Sequence, residues 1–305
     1  MNRKQLRKRG LWLCGGLASI LVLGYFGICA YSAEVLTRIK REPLQANPGS
    51  YQTHYENVEF LSATDHLKLR GWWLPAAQAT ARVIIMVHGK AYHRANPDIG
   101  MLPLGTALAK NYNVLMFDLR GYGESAGERF SLGQFEQRDV DGAVAYVRQR
   151  GYARGNIGVI GWSMGAATSL LCAAHNPDIA AVVADSSFAA LPAILNAEIP
   201  KESGLPRCFN WGIIKMAKLR YGVDVYQIRP AQAAAKLTQT PVLLIHCPGD
   251  KLIPVTNAFQ IYQQLPNGKQ APWLLSPGDH CEAYKLHPVA YIRGVSTFFN
   301  QHLAQ

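Results

Sequence analysis

Residues 157–165 have the sequence IGVIGWSMG, in which a short apolar run leads into Gly161-Trp162-Ser163-Met164-Gly165. The run at Ile157–Ile160 is typical of a buried strand, and the Ala/Leu-rich segment at Met164–His175 favours a helix. A G-x-S-x-G sequence between a strand and a helix makes a sharp turn that exposes the serine hydroxyl at the helix N-terminus. The stretch therefore predicts an α/β fold and makes Ser163 a candidate nucleophile.

A serine hydroxyl is a weak nucleophile until a neighbouring base takes its proton. Of the nine histidines, His280 fits this role, because it lies in a turn-forming run between the last predicted strand and the closing helix. His287 and His302 lie on or next to that helix and are interpreted as surface residues. His246 lies within a strand pattern and is interpreted as a core or loop residue. We therefore predict His280 as the base.

A histidine base needs a carboxylate that keeps the proton on the correct ring nitrogen and stabilises the imidazolium that forms. Asp250 follows a predicted strand at Val242–His246, and the order nucleophile, acid, base along the chain is the one expected for this fold. We therefore predict Asp250 as the acid, with Asp185, at the end of the preceding strand, as the rival. The side chain of Asp279 is predicted to point away from the neighbouring histidine.

The tetrahedral intermediate of acyl transfer carries a negative oxygen that preplaced donors must meet. We expect one donor to be the backbone N–H of Met164, directly after the nucleophile. The other is predicted in the loop after the strand at Arg82–Val87, where we assign it to the backbone N–H of Lys90, with Ala91 as the alternative. His88 is interpreted as a structural residue of that loop.

Short apolar strands alternate with helical segments along most of the chain. This order predicts a parallel sheet that helices cover on both faces. Residues 188–239 break the rhythm with Pro192, Pro200, Pro206 and an aromatic cluster, and we interpret them as a helical insertion or lid. The predicted strands are Asn57–Ser62, Leu67–Leu74, Arg82–Val87, Val114–Phe117, Ile157–Ile160, Ile179–Ala184, Val242–His246 and Trp273–Leu275.

Leu11–Tyr31 is an uncharged and mostly apolar stretch. At 1.5 Å per residue it is long enough for a hydrocarbon core of about 30 Å. The basic residues before it favour a cytoplasmic N-terminus, which places the rest of the chain across the membrane. A cleaved signal peptide is the alternative, but its apolar core is usually shorter and the best cleavage signal, Ile28-Cys29-Ala30, is poor. We predict a single-pass anchor.

The net charge of +11 over 305 residues raises the question of nucleic-acid binding. Residues 1–42 hold eight basic and two acidic side chains, and so account for six of these charges. The rest are spread without a basic run or an aromatic-interleaved stripe. We therefore exclude nucleic acid as a partner and interpret the charge as a topology signal with a mildly basic surface.

These features divide the chain into four parts. A basic cytoplasmic tail is expected at residues 1–10 and a transmembrane anchor at 11–31. A linker is expected at 32–54, and the catalytic domain, with its insertion, at 55–305. Four cysteines lie outside the anchor at spacings that match no zinc site, so no metal is predicted. Two of them, Cys247 and Cys281, lie beside triad candidates, and separate buried thiols are favoured over a disulfide.

Five ordered motifs carry a resemblance to a known family: His88-Gly89, Asp118–Ser125, Gly161–Gly165, Asp250-x-x-Ile253-Pro254 and Gly278-Asp279-His280. From about residue 55 to 303 the chain resembles the α/β-hydrolase family, and is most similar to its membrane-anchored, serine-aminopeptidase-like or BEM46-like branch. The resemblance implies an eight-stranded, mostly parallel sheet with its first antiparallel strand at the edge. It also implies hydrolysis of ester, thioester or peptide bonds without a cofactor. We interpret the Asp118–Ser125 run as a structural brace.

The expected substrate is a small or lipid-like acyl compound, since an anchor holds the catalytic domain near the bilayer. Lys90, His93, Arg94 and Lys251 are predicted at the rim of the pocket, which suggests an anionic acyl substrate as a hypothesis. A peptidase or an acyltransferase on the same fold remains an alternative. A catalytically silent binding module is the alternative from another class of function.

Overall fold

The computed structural model describes residues 3–266 and 270–304, and for residues 3, 4, 6 and 8–11 it describes only the backbone. The predicted basic tail at residues 1–10 therefore lies largely outside the described side chains. Eight strands form one sheet: β1 Glu56–Leu61, β2 Lys68–Leu74, β3 Val83–Val87, β4 Asn113–Phe117, β5 Ile157–Trp162, β6 Ala181–Asp185, β7 Val242–His246 and β8 Trp273–Leu274.

The strands are arranged in the order β1-β2-β4-β3-β5-β6-β7-β8. Strands β3 to β8 pair in parallel, whereas β2 is antiparallel to both β1 and β4. The expectation of an antiparallel first strand at the edge is therefore wrong in one respect. Among the described strands it is β2, one position inside the edge, that runs against the others, because a tight turn at Ala63–His66 joins it to β1 as a hairpin.

Helices lie between the strands and at both ends of the described chain. They are α1 Arg3–Thr37, α2 Met101–Leu108, α3 Glu136–Gln149, α4 Met164–Ala173, α5 Leu191–Ser203, α6 Asn210–Tyr221, α7 Pro230–Ala234, α8 Thr256–Gln264, α9 Ala283–Leu286 and α10 Pro288–His302, with a 3₁₀ turn at Arg207–Phe209. The eight predicted strands are all present, with ends that differ by at most two residues. Helices α8 and α9 were not expected from the sequence.

The core lies on both faces of the sheet, which explains why the strands are continuously apolar. On β3, Val83, Ile85 and Val87 belong to one buried cluster, while Ile84 and Met86 belong to the other. Successive side chains of a strand point to opposite faces, so a strand covered on both sides needs apolar residues at every position. Residues of α3, α4 and α8 complete the first cluster, and residues of α2 and α10 complete the second.

The chain divides into two compact units. The larger unit, Ile39–Leu191 with Tyr226–Gln305, contains the whole sheet. The smaller unit, Met1–Arg38 with Pro192–Val225, contains α1, nearly all of α5, and α6, whereas α7 of the insertion belongs to the larger unit. Within the smaller unit, α1 packs against α6 around a buried cluster of Cys29, Ala33, Ile199, Ile213 and Ala217.

One helix of the described chain is long and apolar enough to cross a membrane. This segment, Trp12–Thr37, lies within α1 and has 26 residues. Length and composition alone support this, and a signal sequence near an N-terminus has the same properties.

Candidate active site

Ser163 lies in the sharp turn between β5 and α4, with backbone angles φ 53° and ψ −118°. A positive φ is unfavourable for a residue with a side chain, and it persists only where the surrounding structure enforces it. Two glycines allow the turn. A Cβ at Gly165 would overlap the carbonyl oxygens of Val87 and His88, and one at Gly161 would overlap the carbonyl of Gly165. The close crossing of these segments holds the serine at the start of α4.

The three side chains predicted as the triad lie in one hydrogen-bonded chain. His280 Nε2 is 2.9 Å from Ser163 Oγ, and His280 Nδ1 is 2.7 Å from Asp250 Oδ2. With the proton on Nδ1, the imidazole donates to the carboxylate and accepts from the serine hydroxyl. The elements bring together residues that are 117 and 30 positions apart in the chain. This geometry is the one in which a base takes a hydroxyl proton.

Asp250 is held by its own turn after β7. Its Oδ1 accepts the backbone N–H groups of Leu252 at 3.0 Å and Ile253 at 2.7 Å, which leaves Oδ2 for His280. Burial raises the pKa of Asp250, but hydrogen bonds from His246 and His280 outweigh burial and lower this pKa to about 2. The carboxylate therefore stays ionised across the neutral range, as an acid that orients a histidine must.

The rival carboxylate, Asp185, ends the neighbouring strand β6. Within the described residues it bonds other partners than His280: Tyr291 Oη donates to Oδ2 at 2.8 Å, and Ser186 Oγ donates to Oδ1 at 3.0 Å. Asp185 is fully buried. Burial raises the pKa of Asp185 to about 6, against the hydrogen bonds of Tyr291 and Ser186. The structure thus separates the two candidates by their contacts.

His246, interpreted from the sequence as a core histidine, lies beside the acid of the triad. Its Nε2 is 2.8 Å from the carbonyl oxygen of Ile253 and 3.3 Å from Asp250 Oδ2, and the side chain is fully buried. Burial lowers the pKa of His246, but its hydrogen bonds to Asp250 and to the Ile253 carbonyl outweigh burial and raise it. The only sequence signal for this contact is the four-residue spacing between His246 and Asp250.

Asp279 joins the two loops that carry the acid and the base. Its Oδ1 accepts the backbone N–H of Lys251 at 2.9 Å and that of His280 at 2.8 Å. Both contacts are to backbone N–H groups, and the described hydrogen bonds of the His280 ring go to Asp250 and Ser163, in agreement with the prediction that the Asp279 side chain points away from the histidine. Hydrogen bonds from Lys251 lower the pKa of Asp279, so the link is ionic at neutral pH.

The loop after β3 lies directly against the nucleophile. A Cβ at Gly89 would lie 3.1 Å from the Trp162 carbonyl oxygen and 3.2 Å from Ser163 Cβ, so a side chain at this position would crowd the nucleophile turn. Lys90 follows Gly89 in the same turn, and Met164 is the first residue of α4. These positions are compatible with the predicted oxyanion donors, the N–H groups of Lys90 and Met164, whose role stays a prediction.

His88 braces this loop, as the sequence suggested. Its Nε2 accepts the backbone N–H of Leu119 at 3.0 Å, and its Nδ1 lies 2.8 Å from the carbonyl oxygen of Gly89. These two contacts fix one tautomer, with the proton on Nδ1. Burial lowers the pKa of His88 to about 3, so the ring is neutral.

Asp118 and Arg94 hold the Asp118–Ser125 run in place. The Asp118 carboxylate accepts the backbone N–H groups of Arg94 at 2.8 Å and Glu124 at 2.9 Å, and it pairs with the Arg94 guanidinium. Ser125 Oγ donates to the Asp118 carbonyl at 2.6 Å and accepts the N–H of Arg70 at 2.9 Å. The interpretation of this run as a structural brace is confirmed by these contacts.

Two of the four residues predicted to rim the pocket are buried instead. Arg94 is 2% exposed and pairs with Asp118 and Glu124, and His93 is 5% exposed and accepts the N–H of Ala95. Arg94 was predicted at the rim because its partner, Asp118, lies 24 positions further along the chain, and no local pattern indicates their pairing. Lys251 is exposed and pairs with Asp279 at 3.1 Å. The anionic-substrate hypothesis therefore loses two of its four residues.

The six cysteines all lie in the described chain and are free thiols, including the buried Cys247 and Cys281. The expectation of separate buried thiols is thus confirmed. A group of possible metal ligands within the described residues, Asp141, Cys172 and His175, lies at the far end of α4 from Ser163. These groups bond one another, with His175 Nε2 at 3.0 Å from Asp141 Oδ2, so protein contacts account for the cluster.

Comparison of the sequence with protein families matches residues 82–206 to a model described as alpha/beta hydrolase fold. The uncharacterized protein YqkD of Bacillus subtilis is 31% identical over 231 residues, which are 74% of this chain and 73% of that protein. The uncharacterized protein YfhR of Escherichia coli K12 is 29% identical over 238 residues, or 75% of this chain and 74% of that protein.

Solved structures share the fold. An esterase from Pyrococcus furiosus superposes with a TM-score of 0.72 at 24% identity, over 88% of this chain and 98% of the esterase. An acylaminoacyl peptidase from Pyrococcus horikoshii superposes with a TM-score of 0.60 at 19% identity, over 82% of this chain and 42% of the peptidase. At these identities the likeness establishes the fold, which two hydrolases of different specificity share.

Proposed function

The chain belongs to the α/β-hydrolase family, and from that premise we propose that it is a serine hydrolase acting on ester, thioester or similar acyl bonds. The hydrogen-bonded chain from Ser163 through His280 to Asp250 is the observation that carries the proposal. The backbone of Ser163, with φ 53° and ψ −118°, supports it, because strained backbone conformations cluster at active sites.

In the proposed reaction, Ser163 Oγ attacks the carbonyl carbon while His280 Nε2 takes the hydroxyl proton. Asp250 stabilises the imidazolium through Nδ1–H, and the N–H groups of Met164 and Lys90 receive the oxyanion. His280 then gives the proton to the leaving oxygen or sulfur as the acyl bond breaks. In the second half, His280 takes a proton from water, which attacks the acyl-enzyme and releases the acid and the free serine.

A fluorophosphonate probe tests whether Ser163 is an activated nucleophile. Wild-type protein in detergent is expected to form a covalent adduct, and Ser163→Ala is expected to form none. Ser169→Ala is the matched control, since this buried serine on the same helix bonds only the Gly165 carbonyl in the described contacts. If folded wild-type protein fails to react, the binding-module alternative takes first place.

The proposal leaves to experiment which acyl bond the enzyme cleaves fastest. The fold neighbours include an esterase and an acylaminoacyl peptidase, so an ester series and an N-acyl peptide series are compared on one preparation. We expect ester hydrolysis to dominate. A higher kcat/KM for the peptide series would favour the peptidase alternative, and faster reaction with added alcohols than with water would favour an acyltransferase.

We further propose that α1 is an uncleaved anchor with a cytoplasmic N-terminus, in line with the membrane-anchored branch of the family. The packing of α1 within the smaller unit supports retention. Cleavage after Ala30 would remove Tyr25 and Cys29 from the cluster that they form with the insertion. The assignment of residues 188–239 as a lid remains part of this proposal.

A further inference from the structure

The candidate membrane span has two halves with different surroundings. Residues 12–24 are exposed all around the helix, with Trp12 81% and Leu23 72% exposed. From Tyr25 onward one stripe is covered: Cys29 and Ala33 are fully buried, and Thr37 continues the stripe. The spacing of four residues places these side chains on one helix face.

The insertion covers this stripe. Tyr25 Oη donates to the Cys208 carbonyl at 2.9 Å, and its ring stacks on Phe209 with centroids 5.0 Å apart. The Phe26 ring lies 6.2 Å from that of Trp211. A Cβ at Gly212 would overlap Cys29 Sγ and the Tyr25 hydroxyl, so the helices approach closely there.

The length of the exposed half of the span, residues 12–24, shows at which depth in a membrane these contacts lie. Residues 12–24 rise about 20 Å at 1.5 Å per residue, whereas a hydrocarbon core is about 30 Å thick. The remaining 10 Å or so must come from about Tyr25–Tyr31. That stretch is the one that contacts Cys208–Ile213. A membrane that α1 spans therefore extends past the level at which the insertion begins to pack on it.

We propose that the 3₁₀ turn Arg207–Phe209 and the first turn of α6 are inserted into the bilayer leaflet on the side of the catalytic domain. This proposal rests on the proposed anchor. Tyr25 lies six residues before Tyr31, the end of the predicted span, which puts the inserted turn about 9 Å below that end. Interfacial elements bury apolar faces to about 5–10 Å from the boundary between headgroups and acyl chains, so this depth lies within their range.

The chemistry of the inserted region suits this boundary. Trp211 is 59% exposed, and tryptophan favours the interface. Exposed basic side chains, Arg207, Lys215 and Arg220, flank it on the same segment and reach anionic headgroups. Two polar donors of the region have protein partners: the Tyr25 hydroxyl donates to the Cys208 carbonyl, and the Asn210 amide nitrogen donates to the Asn196 carbonyl at 3.1 Å.

Cys208 is an exposed native thiol in the inserted turn, which makes the test direct. The full chain carrying Cys14→Ala, which removes the other exposed thiol, is labelled at Cys208 with an environment-sensitive fluorophore. It is then reconstituted into vesicles of phosphatidylcholine and phosphatidylglycerol that contain lipids spin-labelled near the headgroup or deep in the acyl chain. Cys14→Ala with Cys208→Ser reports background labelling. Val289→Cys in that background is the solvent control, since Val289 on α10 is 69% exposed.

We expect blue-shifted emission from the Cys208 label and quenching by the shallow spin label that exceeds quenching by the deep one. The label at position 289 should show neither effect. Emission from Cys208 equal to that from position 289 would overturn the proposal. A fluorophosphonate adduct at Ser163 in the same vesicles confirms the fold and separates this result from the proposed function, because the adduct forms whether or not the turn is inserted.

Discussion

Two buried aspartates lie at the carboxyl ends of the neighbouring strands β6 and β7, Asp185 as the last residue of β6 and Asp250 in the turn after β7, and their contacts predict different roles. Asp250 bonds His280, whereas Asp185 bonds Tyr291 and Ser186. We expect Asp250→Asn to lower kcat/KM for an ester by on the order of 10⁴-fold, as loss of the orienting acid does in a serine protease. Asp185→Asn should cost far less. Steady-state kinetics on both variants measure this, and equal losses would contradict the assignment of the acid.

Asp185 predicts a pH dependence of stability. Its pKa in the folded protein is about 6, above the ordinary value of 3.8, because of burial. A raised pKa contributes stability below the unfolded value, and this contribution is lost as pH rises through the folded value. The wild type should lose up to about 3 kcal/mol from this group between pH 4 and 6.

The variant Asp185→Asn should lack that loss. The difference in Tm between the variant and the wild type is therefore expected to shift in favour of the variant as pH rises from 4 to 7. Thermal unfolding in detergent at several pH values measures it. A difference that is constant across this range would mean that Asp185 does not titrate as its burial implies.

At the residue scale, local motifs led to the three side chains that the structure brings together. Ser163, Asp250 and His280 each follow a strand, and the carboxyl ends of parallel strands meet at one edge. The contacts of His246, Asp279 and Arg94 were not predictable in the same way. They depend on which buried partner lies across a loop, and a single sequence carries no signal for that.

At the element scale, the buried pair of Arg94 and Asp118 joins the loop after β3 to the loop after β4. Removal of one member leaves the other as a buried charge without its partner, which costs about 3–5 kcal/mol. Arg94→Met should therefore lower Tm by roughly 10 °C, given about 2–4 °C per kcal/mol for a domain of this size.

A second substitution checks the cause. Adding Asp118→Asn to Arg94→Met removes the unpaired negative charge of Asp118. The double variant should therefore recover part of the decrease in Tm that Arg94→Met causes. Differential scanning fluorimetry on the two variants and the wild type gives the comparison. If the double variant is less stable than Arg94→Met, the loss comes from packing rather than from the unpaired carboxylate.

Strands and helices were predicted correctly where the pattern of apolar residues is strong, and they were missed where this pattern is weak. Strand β3 is apolar at every position because both faces are covered, and its bounds were found within one residue. Helix α8, Thr256–Gln264, has polar residues at most positions and buries only a few side chains, so its pattern did not stand out. The direction of β2 follows from a hairpin turn that the strand pattern alone does not orient.

At the scale of the whole molecule, retention of α1 is the main prediction. Protein purified from membranes should yield peptides from the segment at residues 12–37 by mass spectrometry, because α1 is part of the packed smaller unit. The protein should also resist extraction with alkaline carbonate. A mature N-terminus at or after Ala30 would show that the segment is a signal peptide.

The sequence predicted the segments that form the smaller unit, but it did not predict that they pack on each other. Composition separated the apolar N-terminal segment and the irregular insertion from the α/β pattern. That these two segments pack on each other follows from contacts such as Gly212 with Cys29, across 183 positions, and no local pattern pairs them.

This pairing has a consequence for the timing of biosynthesis. Thr37 ends α1, but its packing partner is complete only when Tyr221 has been translated. At about 5–20 residues per second this takes roughly 10–40 s, during which α1 exists without its packing partner. Its Cys29 and Ala33 stripe stays uncovered for that time. The smaller unit is therefore completed late, when α6 covers a stripe that was synthesised first.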